Sequence, residues 1–313
     1  MRIVFLGTPD FTLPILEACA RAGDLALVVA QPDKPVGRHA ELKAPPSKVW
    51  ALERGIRVEQ PAKVKNGALA AVIAAARADV AVVAAYGRIL PADALVAARL
   101  GCLNVHASLL PELRGAAPAQ WSIARRFRET GVTIMQMDEG LDTGDIRLQQ
   151  VLRIAPDDTG ESLLGKLGPL GAEALTEALK LLENGTLPRI AQDHAKASLA
   201  PMLSRDDGRI DWTRSAFELD ARRRGFTPWP GAWTTVNGNV LKILQARPTA
   251  AVGDDPGSPP EPGTLLQKHA VVACGEGTGW QLVEVQPEGK KRMPAAAWLA
   301  GARLPLNSRL GTD

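Results

Sequence analysis

Arg2-Ile3-Val4-Phe5-Leu6-Gly7 opens the chain with an apolar run that stops at a glycine. A strand open to water on one face alternates polar and apolar residues, so a run without alternation predicts a parallel strand covered on both faces. A helix is expected over residues 12–22 and a second strand at Leu25–Gln31. The alternation continues with a helix at 46–54, a short strand at Ile56–Val58, an alanine-rich helix at 66–76 and a strand at Val80–Tyr86. Cys102–His106, Val132–Asp138 and Ile146–Ile154 supply three more strands, with a helix starting near Pro118 and a long one at about 159–183. Strand–helix alternation at this spacing predicts an open, mostly parallel α/β sheet, whose ligands sit beyond the carboxyl ends of the strands.

At 313 residues the chain has room for about two domains. Asn184-Gly185 and Pro188 punctuate the end of the long helix, so residues 1–188 are expected as the first domain, 189–205 as a linker and 206–313 as the second. The second part changes character. Ile210–Trp212, Thr234–Val236, Val240–Leu244, Gly263–Leu266, Ala270–Ala273 and Gln281–Val285 read as short strands divided by Gly, Pro and Asn, a pattern that predicts a small antiparallel barrel. Thr249–Gly263 reads as an exposed loop between strands.

Composition excludes several classes. With 46% hydrophobic and 23% charged residues, the chain is neither disordered nor fibrous. Three scattered cysteines, no Cys-x-x-Cys pair and four histidines argue against a disulfide scaffold and a structural zinc site. The most apolar stretch, residues 68–86, is interrupted by Arg77 and Asp79 and does not read as a membrane span. The first ten residues reach Asp10 without a secretory pattern, so a reducing, cytoplasmic setting is expected. A formal charge of +3 does not mark a dedicated nucleic-acid binder. Basic residues cluster locally, at Arg125–Arg128, Arg222-Arg223-Arg224 and Lys290-Lys291-Arg292, and each cluster taken alone also fits a solvated face.

Three loops carry chemistry-bearing residues. Gly7-Thr8-Pro9-Asp10-Phe11 lies where the first strand turns into a helix, a place for a backbone-lined ligand loop or for an ordinary turn. Residues 7–12 lack the second and third glycines of the dinucleotide fingerprint, which disfavours hydride transfer. Asn104 and His106, two apart on a predicted strand, point to one face. They can serve as paired hydrogen-bond donors to an oxygen gaining charge, or as a satisfied core pair. Ser108-Leu109-Leu110-Pro111 and Arg114–Pro118 follow as irregular loop, and Asp142 stands between Gly140 and Gly144 as a ligand-facing carboxylate or a turn former. Asn, His and Asp together suit acyl transfer to an amine, and the absence of a Gly-x-Ser-x-Gly elbow or a reactive-cysteine motif favours direct attack.

Asn104-x-His106 joined to Ser108-Leu109-Leu110-Pro111, with Leu141-Asp142-Thr143-Gly144-Asp145 further on, resembles the folate-dependent formyltransferases. Gly7–Phe11, Arg114–Pro118, Gly131–Met135, Arg209–Trp212 and Pro228–Gly231 extend the resemblance over nearly the whole chain. It implies a Rossmann-like catalytic domain followed by a small OB-like β-barrel domain that binds tRNA. It implies transfer of the formyl group of 10-formyltetrahydrofolate to the amino group of methionyl-initiator tRNA, with no metal, no membrane and no obligate protein partner. By the same resemblance Asn104, His106 and Asp142 are the catalytic set, and Tyr86, Gly87, Arg88, Ile89, Leu90, Ser108, Leu109, Leu110 and Pro111 line the folate site. Thr8, Pro9, Asp10 and Phe11 lie near the methionyl group, and residues 31–48, with Arg38 and Lys43, form a long basic loop toward the tRNA acceptor end. Arg222, Arg223, Arg224, Lys290, Lys291 and Arg292 are the expected tRNA contacts of the second domain. The chain departs from the family's usual text at Met202–Arg205 and in the run of three arginines. A formyltransferase acting on a nucleotide-linked amino sugar and a non-catalytic tRNA-binding relative are the alternatives.

Overall fold

The computed structural model describes residues 1–36, 41–252 and 260–311, so Arg38 and residues 253–259 of the expected inter-strand loop lie outside the described residues. The opening run forms β1 (Arg2–Gly7), buried from Ile3 onward. It is followed by α1 (Leu13–Ala22), β2 (Asp24–Val29), the antiparallel pair β3 (Lys34–Val36) and β4 (Glu41–Lys43), and α2 (Pro46–Leu52). Next come β5 (Val58–Glu59), α3 (Ala68–Ala75), β6 (Val80–Ala84), α4 (Ala92–Leu95) and β7 (Cys102–His106). The chain continues with α5 (Pro118–Ala124), β8 (Glu129–Gln136), β9 (Ile146–Arg153) and α6 (Gly160–Glu183).

Seven of these strands make one sheet in the order β5-β2-β1-β6-β7-β8-β9. The first five are parallel, and β8 and β9 are antiparallel to their neighbours. Only Met137–Asp145 joins β8 to β9, too short a stretch for the helical crossover that parallel pairing needs. The chain moves outward from β1 to β2 and β5, then returns to β1's other side with β6 and β7. That reversal places a switch point at the carboxyl ends of β1, β6 and β7. β6 and β7 are buried at every position, as an apolar run without alternation demands, whereas edge strand β9 alternates exposed and half-buried residues. β6 stops two residues before the expected Tyr86, because Ala85 and Gly87 adopt left-handed φ values of 44° and 78°.

The molecule divides into two compact units. The first comprises Met1–Ala119, Glu129–Ile154 and Ser162–Met202; the second comprises Gln120–Arg128, Ala155–Glu161 and Leu203–Asp313. Most of the segment expected as a linker is bonded into the first unit. Ile190 and Ile146 exchange backbone bonds of 2.8 and 3.0 Å, Arg114 N–H donates to Ser198 O at 2.8 Å, and Ala200 N–H donates to Arg114 O at 2.7 Å.

The second unit holds α7 (Ala216–Gly225), β10 (Ala232–Val236), β11 (Asn239–Thr249), β12 (Leu265–Leu266), β13 (Val271–Ala273), β14 (Gly279–Pro287), β15 (Met293–Pro294) and α8 (Ala295–Ala302). Its sheet runs β10-β11-β14-β13-β12, all antiparallel, with β15 beside β14. Residues near the chain end bridge its two edges: Leu310 N–H donates to Gly263 O and Gly311 N–H to Thr235 O, each at 2.9 Å. The core centres on Trp280, packed edge-to-face on Trp212 at 6.0 Å, with Leu241, Ile243, Leu282 and Val285. Ile210–Trp212 forms no strand of its own: Ile210 N–H donates to Trp233 O at 2.8 Å, and Ile210 and Trp212 are buried in this core. Two helices were not expected. α7 is announced by Ser215 and Glu218, whose side chains form a reciprocal capping box, and α8 by its run of alanines.

Candidate active site

β7 brings Asn104 and His106 to one face, both buried, at the carboxyl end of the central strands. Asp142 reaches them from the loop between β8 and β9. It takes φ 51°, a left-handed conformation uncommon outside glycine, and Gly144 beside it packs so tightly on Gln136 O that a Cβ would overlap that oxygen. The Asp142 carboxylate accepts from Gly115 N–H at 2.8 Å and, at 3.4 Å, from Asn104 Nδ2. Its Oδ2 lies 3.7 Å from His106 Nδ1. The other ring nitrogen, Nε2, is 3.0 Å from Leu113 O. A carbonyl only accepts, so Nε2 is the nitrogen that donates to Leu113 O, while Nδ1 faces the Asp142 carboxylate. Sequence reasoning assigned His106 to the oxyanion; the structure adds that its Nδ1 stands against the Asp142 carboxylate.

The loop after β7 is held in an irregular path. Thr133 Oγ1 donates to Ser108 O at 2.7 Å and accepts from Leu110 N–H at 3.0 Å, while Gln149 Nε2 donates to Leu110 O at 2.9 Å. The Leu110–Pro111 peptide is cis. These bonds fix Ser108–Pro111 beside the Asn104–His106 face, with the Leu110 side chain buried. Beyond β6, the Tyr86 carbonyl accepts from Gln31 Nε2 at 2.9 Å. Arg88 is occupied by Gln31 Oε1, Pro61 O and Ala62 O. Leu90 is core, whereas the Ile89 side chain projects outward at 83% exposure. The Tyr86 ring is buried, which pushes its phenol up, and among the described residues its hydroxyl has no hydrogen-bond partner. Thr8 Oγ1 makes long contacts of 3.4 Å to Tyr86 O and Gln31 N. Asp10 and Phe11 begin a short 3-10 turn leading into α1.

The expected basic clusters fare differently. Lys43 on β4, Lys290 and Lys291 are exposed, and Arg292 pairs with Glu284 at 2.5 Å, a partner that holds its guanidinium above the ordinary value. Arg222–Arg224 are not an exposed cluster. Arg223 and Arg224 both clasp Asp220, at 2.8 and 3.0 Å, and donate to the carbonyls of Leu244 and Asp158. Arg222 donates to Asp207 O and lies over the Phe226 ring at 4.9 Å. These arginines fasten α7 to its surroundings.

Sequence reasoning missed Leu113, whose carbonyl sets the His106 tautomer, and Gln192, which lies in the segment read as a linker and bonds the Asp142 loop. Nothing in the text around Gln192 marks it, since a buried amide and an exposed one are the same letter. Cys19, Cys102 and Cys274 are all buried; burial pushes the Cys102 and Cys274 thiols up to about 12 and Cys19 further still, so none is a ready nucleophile. Among the described residues no group of His, Cys, Asp or Glu is arranged to hold a metal ion, and no helix is long and apolar enough to cross a membrane.

Comparison with known proteins gives the family of the chain. The formyl transferase family matches residues 1–179, and the formyl transferase C-terminal domain matches residues 202–303. The chain is 53% identical to a methionyl-tRNA formyltransferase of Anaeromyxobacter dehalogenans over 313 residues, covering 100% of each protein. It is 47% identical to the methionyl-tRNA formyltransferase of Myxococcus xanthus, covering 98% of this chain and 97% of that one. Among solved structures it is similar to the N-formyltransferase from Helicobacter canadensis in complex with folinic acid and dTDP-3-aminofucose. That match has a TM-score of 0.65 at 18% identity, covers 91% of this chain and 98% of the other, and speaks for a shared fold. The chain belongs to the formyl transferase family and groups within it with the methionyl-tRNA formyltransferases.

Proposed function

We propose that this chain transfers the formyl group of 10-formyltetrahydrofolate, a substrate consumed at each turnover, to the free amino group of methionyl-initiator tRNA. The observation that carries the reading is the convergence of Asn104, His106 and Asp142 on one buried face, in a chain about half identical to methionyl-tRNA formyltransferases over its full length. The amine lone pair attacks the formyl carbon, and the carbonyl electrons move onto oxygen. Asn104 Nδ2 bears two N–H groups and its contact to Asp142 is long, so it can donate to that oxyanion. The proton lost by the attacking nitrogen passes to His106 Nδ1, where Asp142 steadies the resulting imidazolium. The intermediate then collapses, the bond from carbon to the folate N10 breaks, and that nitrogen takes up the proton held by His106, which restores the ring. The formyl group ends on the amine as an amide, and tetrahydrofolate leaves.

The folate is read onto Tyr86–Leu90 and Ser108–Pro111. What supports this is their place beyond β6 and β7, the outward Ile89 side chain and the unpartnered buried Tyr86 hydroxyl. Thr8–Phe11 then face the methionyl group. Lys43, and on the sequence resemblance alone Arg38, are assigned to the acceptor end, and residues 206–313, an OB-like domain in this reading, take the tRNA body with Lys290, Lys291 and Arg292. An amino-sugar nucleotide is the less favoured acceptor, because likeness to the sugar enzymes is at the level of fold. The test is incorporation of labelled formyl from 10-formyltetrahydrofolate into methionyl-tRNA, run beside a dTDP-linked amino sugar. Label in the tRNA alone is expected; label only in the sugar nucleotide, or in neither, overturns the assignment.

A further inference from the structure

Two backbone carbonyls of the Asp142 loop are held by one buried amide. Gln192 Nε2 donates one N–H to Asp142 O at 2.8 Å and one to Gly144 O at 2.7 Å. Its Oε1 accepts a fork from Arg114, Nη2 at 2.6 Å and Nε at 3.2 Å. Gln192 is 6% exposed and Arg114 7%, and every polar atom of the amide is used. Arg114 Nη2 also meets His194 Nδ1 at 3.1 Å, from the same segment as Gln192. Among the described residues no carboxylate pairs with this buried guanidinium; its partners are the amide and the imidazole. The two residues flanking Arg114 each touch the catalytic pair. Leu113 O meets His106 Nε2, and Gly115 N–H donates to the Asp142 carboxylate. Leu113 itself, at φ 59°, is pinned by its N–H to Ser198 Oγ at 2.9 Å. A closed circuit results: His106, Leu113, Arg114, Gln192, the Asp142 backbone, and the Asp142 carboxylate facing His106 again.

We propose that Gln192 is a positioning residue for the reaction. Its amide sets the reach and rotation of Asp142 against His106 by tying the Asp142–Gly144 carbonyls to the Arg114 guanidinium. The segment carrying it is therefore part of the machinery of the first unit and not a passive connection. The physical basis is the small tolerance of a proton-transfer pair. Asp142 Oδ2 and His106 Nδ1 already stand 3.7 Å apart, and a displacement of about 1 Å can cost a hundredfold in rate. The loop's left-handed residue and its two glycines give it no regular secondary structure to hold that spacing, so side-chain bonds must.

The inference rests on reading Asp142 as catalytic, and the experiment separates the two. Gln192→Glu keeps the acceptor for Arg114 and gains a charge pair that favours folding, but turns a lone pair toward two carbonyls. Gln192→Met, of similar length, removes both halves and is the second variant. Single-turnover formylation should fall about ten- to hundredfold in both, while KM for the folate and for methionyl-tRNA moves less than about threefold. Placed on Asp142→Asn, Gln192→Glu should lower the residual rate less than about twofold, since a residue acting through Asp142 has nothing left to position. A folded Gln192 variant with parental turnover overturns the inference. So does a rise in KM at constant kcat, or a full multiplicative loss on the Asp142→Asn background. If Asp142→Asn itself turns over normally, the reading of Asp142 fails first, and that result is visible without any Gln192 variant.

Discussion

Gly115→Ala tests the geometry of the site through one methyl group. Gly115 stands at φ 118°, and a Cβ there would fall 2.7 Å from the carbonyl oxygen of Ala200 and 3.3 Å from its carbon. Ordinary contact starts at 3.4 Å, so one side must yield by about 0.7 Å. Ala200 is poorly placed to move, because its N–H donates to Arg114 O at 2.7 Å and its oxygen accepts from Ala117 N–H at 3.2 Å. The displacement therefore falls on residue 115, whose N–H is 2.8 Å from the Asp142 carboxylate. Stretched by that amount, the bond reaches the limit at which it counts as one. A hydrogen bond to a charged group contributes about 1.5–3 kcal/mol, which converts to roughly a ten- to hundredfold loss of turnover if Asp142 drifts with it. Backbone strain adds a stability cost of about 1–3 kcal/mol, or roughly 2–4 °C of Tm for each kcal/mol in a protein of this class. Gly185→Ala separates the two effects. Gly185 also has a positive φ, 71°, but nothing lies within 4 Å of its added Cβ, so it should lose stability and keep its rate. The assay is single-turnover formylation of methionyl-tRNA beside a thermal melt for both variants. Parental turnover in Gly115→Ala, or an equal loss in Gly185→Ala, would refute the reasoning.

His106→Ala and Asp142→Asn should each lower turnover a hundredfold or more with folate binding nearly intact, as measured by labelled-formyl transfer and folate titration; retention of about a third of parental turnover in either removes it from the catalytic set. Acid should unfold the protein through its paired carboxylates: the Arg2 amide and Arg99 hold the Asp79 carboxyl below its ordinary 3.8, and Gln60 and Lys48 do the same for Asp33. Because the folded acids are the stronger ones, the stability they contribute is present above the ordinary value and lost as pH falls through the lower folded values, so Tm should fall below about pH 4, less so in Asp79→Asn. Lys290, Lys291 and Arg292 changed together to Ala should flatten the salt dependence of tRNA binding by roughly 0.7–0.9 in log–log slope for each phosphate left without its cation. An unchanged slope makes the cluster a solvated face. Arg224→Ala should leave that slope alone and instead destabilise the fold by about 0.5–3 kcal/mol, read from a denaturant titration.

The central sheet was legible because its signal is one of burial. Ile3–Leu6, Val80–Ala84 and Cys102–His106 are apolar or paired at every position, and only a strand covered on both faces asks for that. The directions of β8 and β9 were not written in their residues; the short connection between them accounts for their antiparallel pairing with each other, and the reversal of β8 against β7 is read only from the structure. α7 was missed although its start was spelled out in Ser215-x-x-Glu218, because the turn-rich text around it drew attention to strands. Asn104, His106 and Asp142 taken singly also fitted a satisfied core pair and a turn former; it was the resemblance to the formyltransferases that joined them as a set, and the structure brings the three side chains together. Leu113 and Gln192 act through a carbonyl and a buried amide, features that composition does not carry.

The arginine triplet shows why charge clusters read poorly from sequence. Asp220 precedes Arg223 by three residues and Arg224 by four, so on a helix all three side chains share one face. In that arrangement the two cations meet their counter-ion before they meet solvent, and the structure bears the marks of it: Arg223 and Arg224 side chains are 14% and 19% exposed. Burial with a partner suits an element that must be fastened, since removing one member strands the other in a poor solvent for charge. A grip on phosphate asks for the opposite, a cation held at the surface whose release of counterions outweighs the cost of ordering a long side chain. Lys290 and Lys291 meet that requirement, because they follow Glu288 and Gly289 in a turn where no helix face brings an acid to them. A basic run is therefore weighed by what stands three and four residues before it on a helix, and by whether the local backbone is a helix at all.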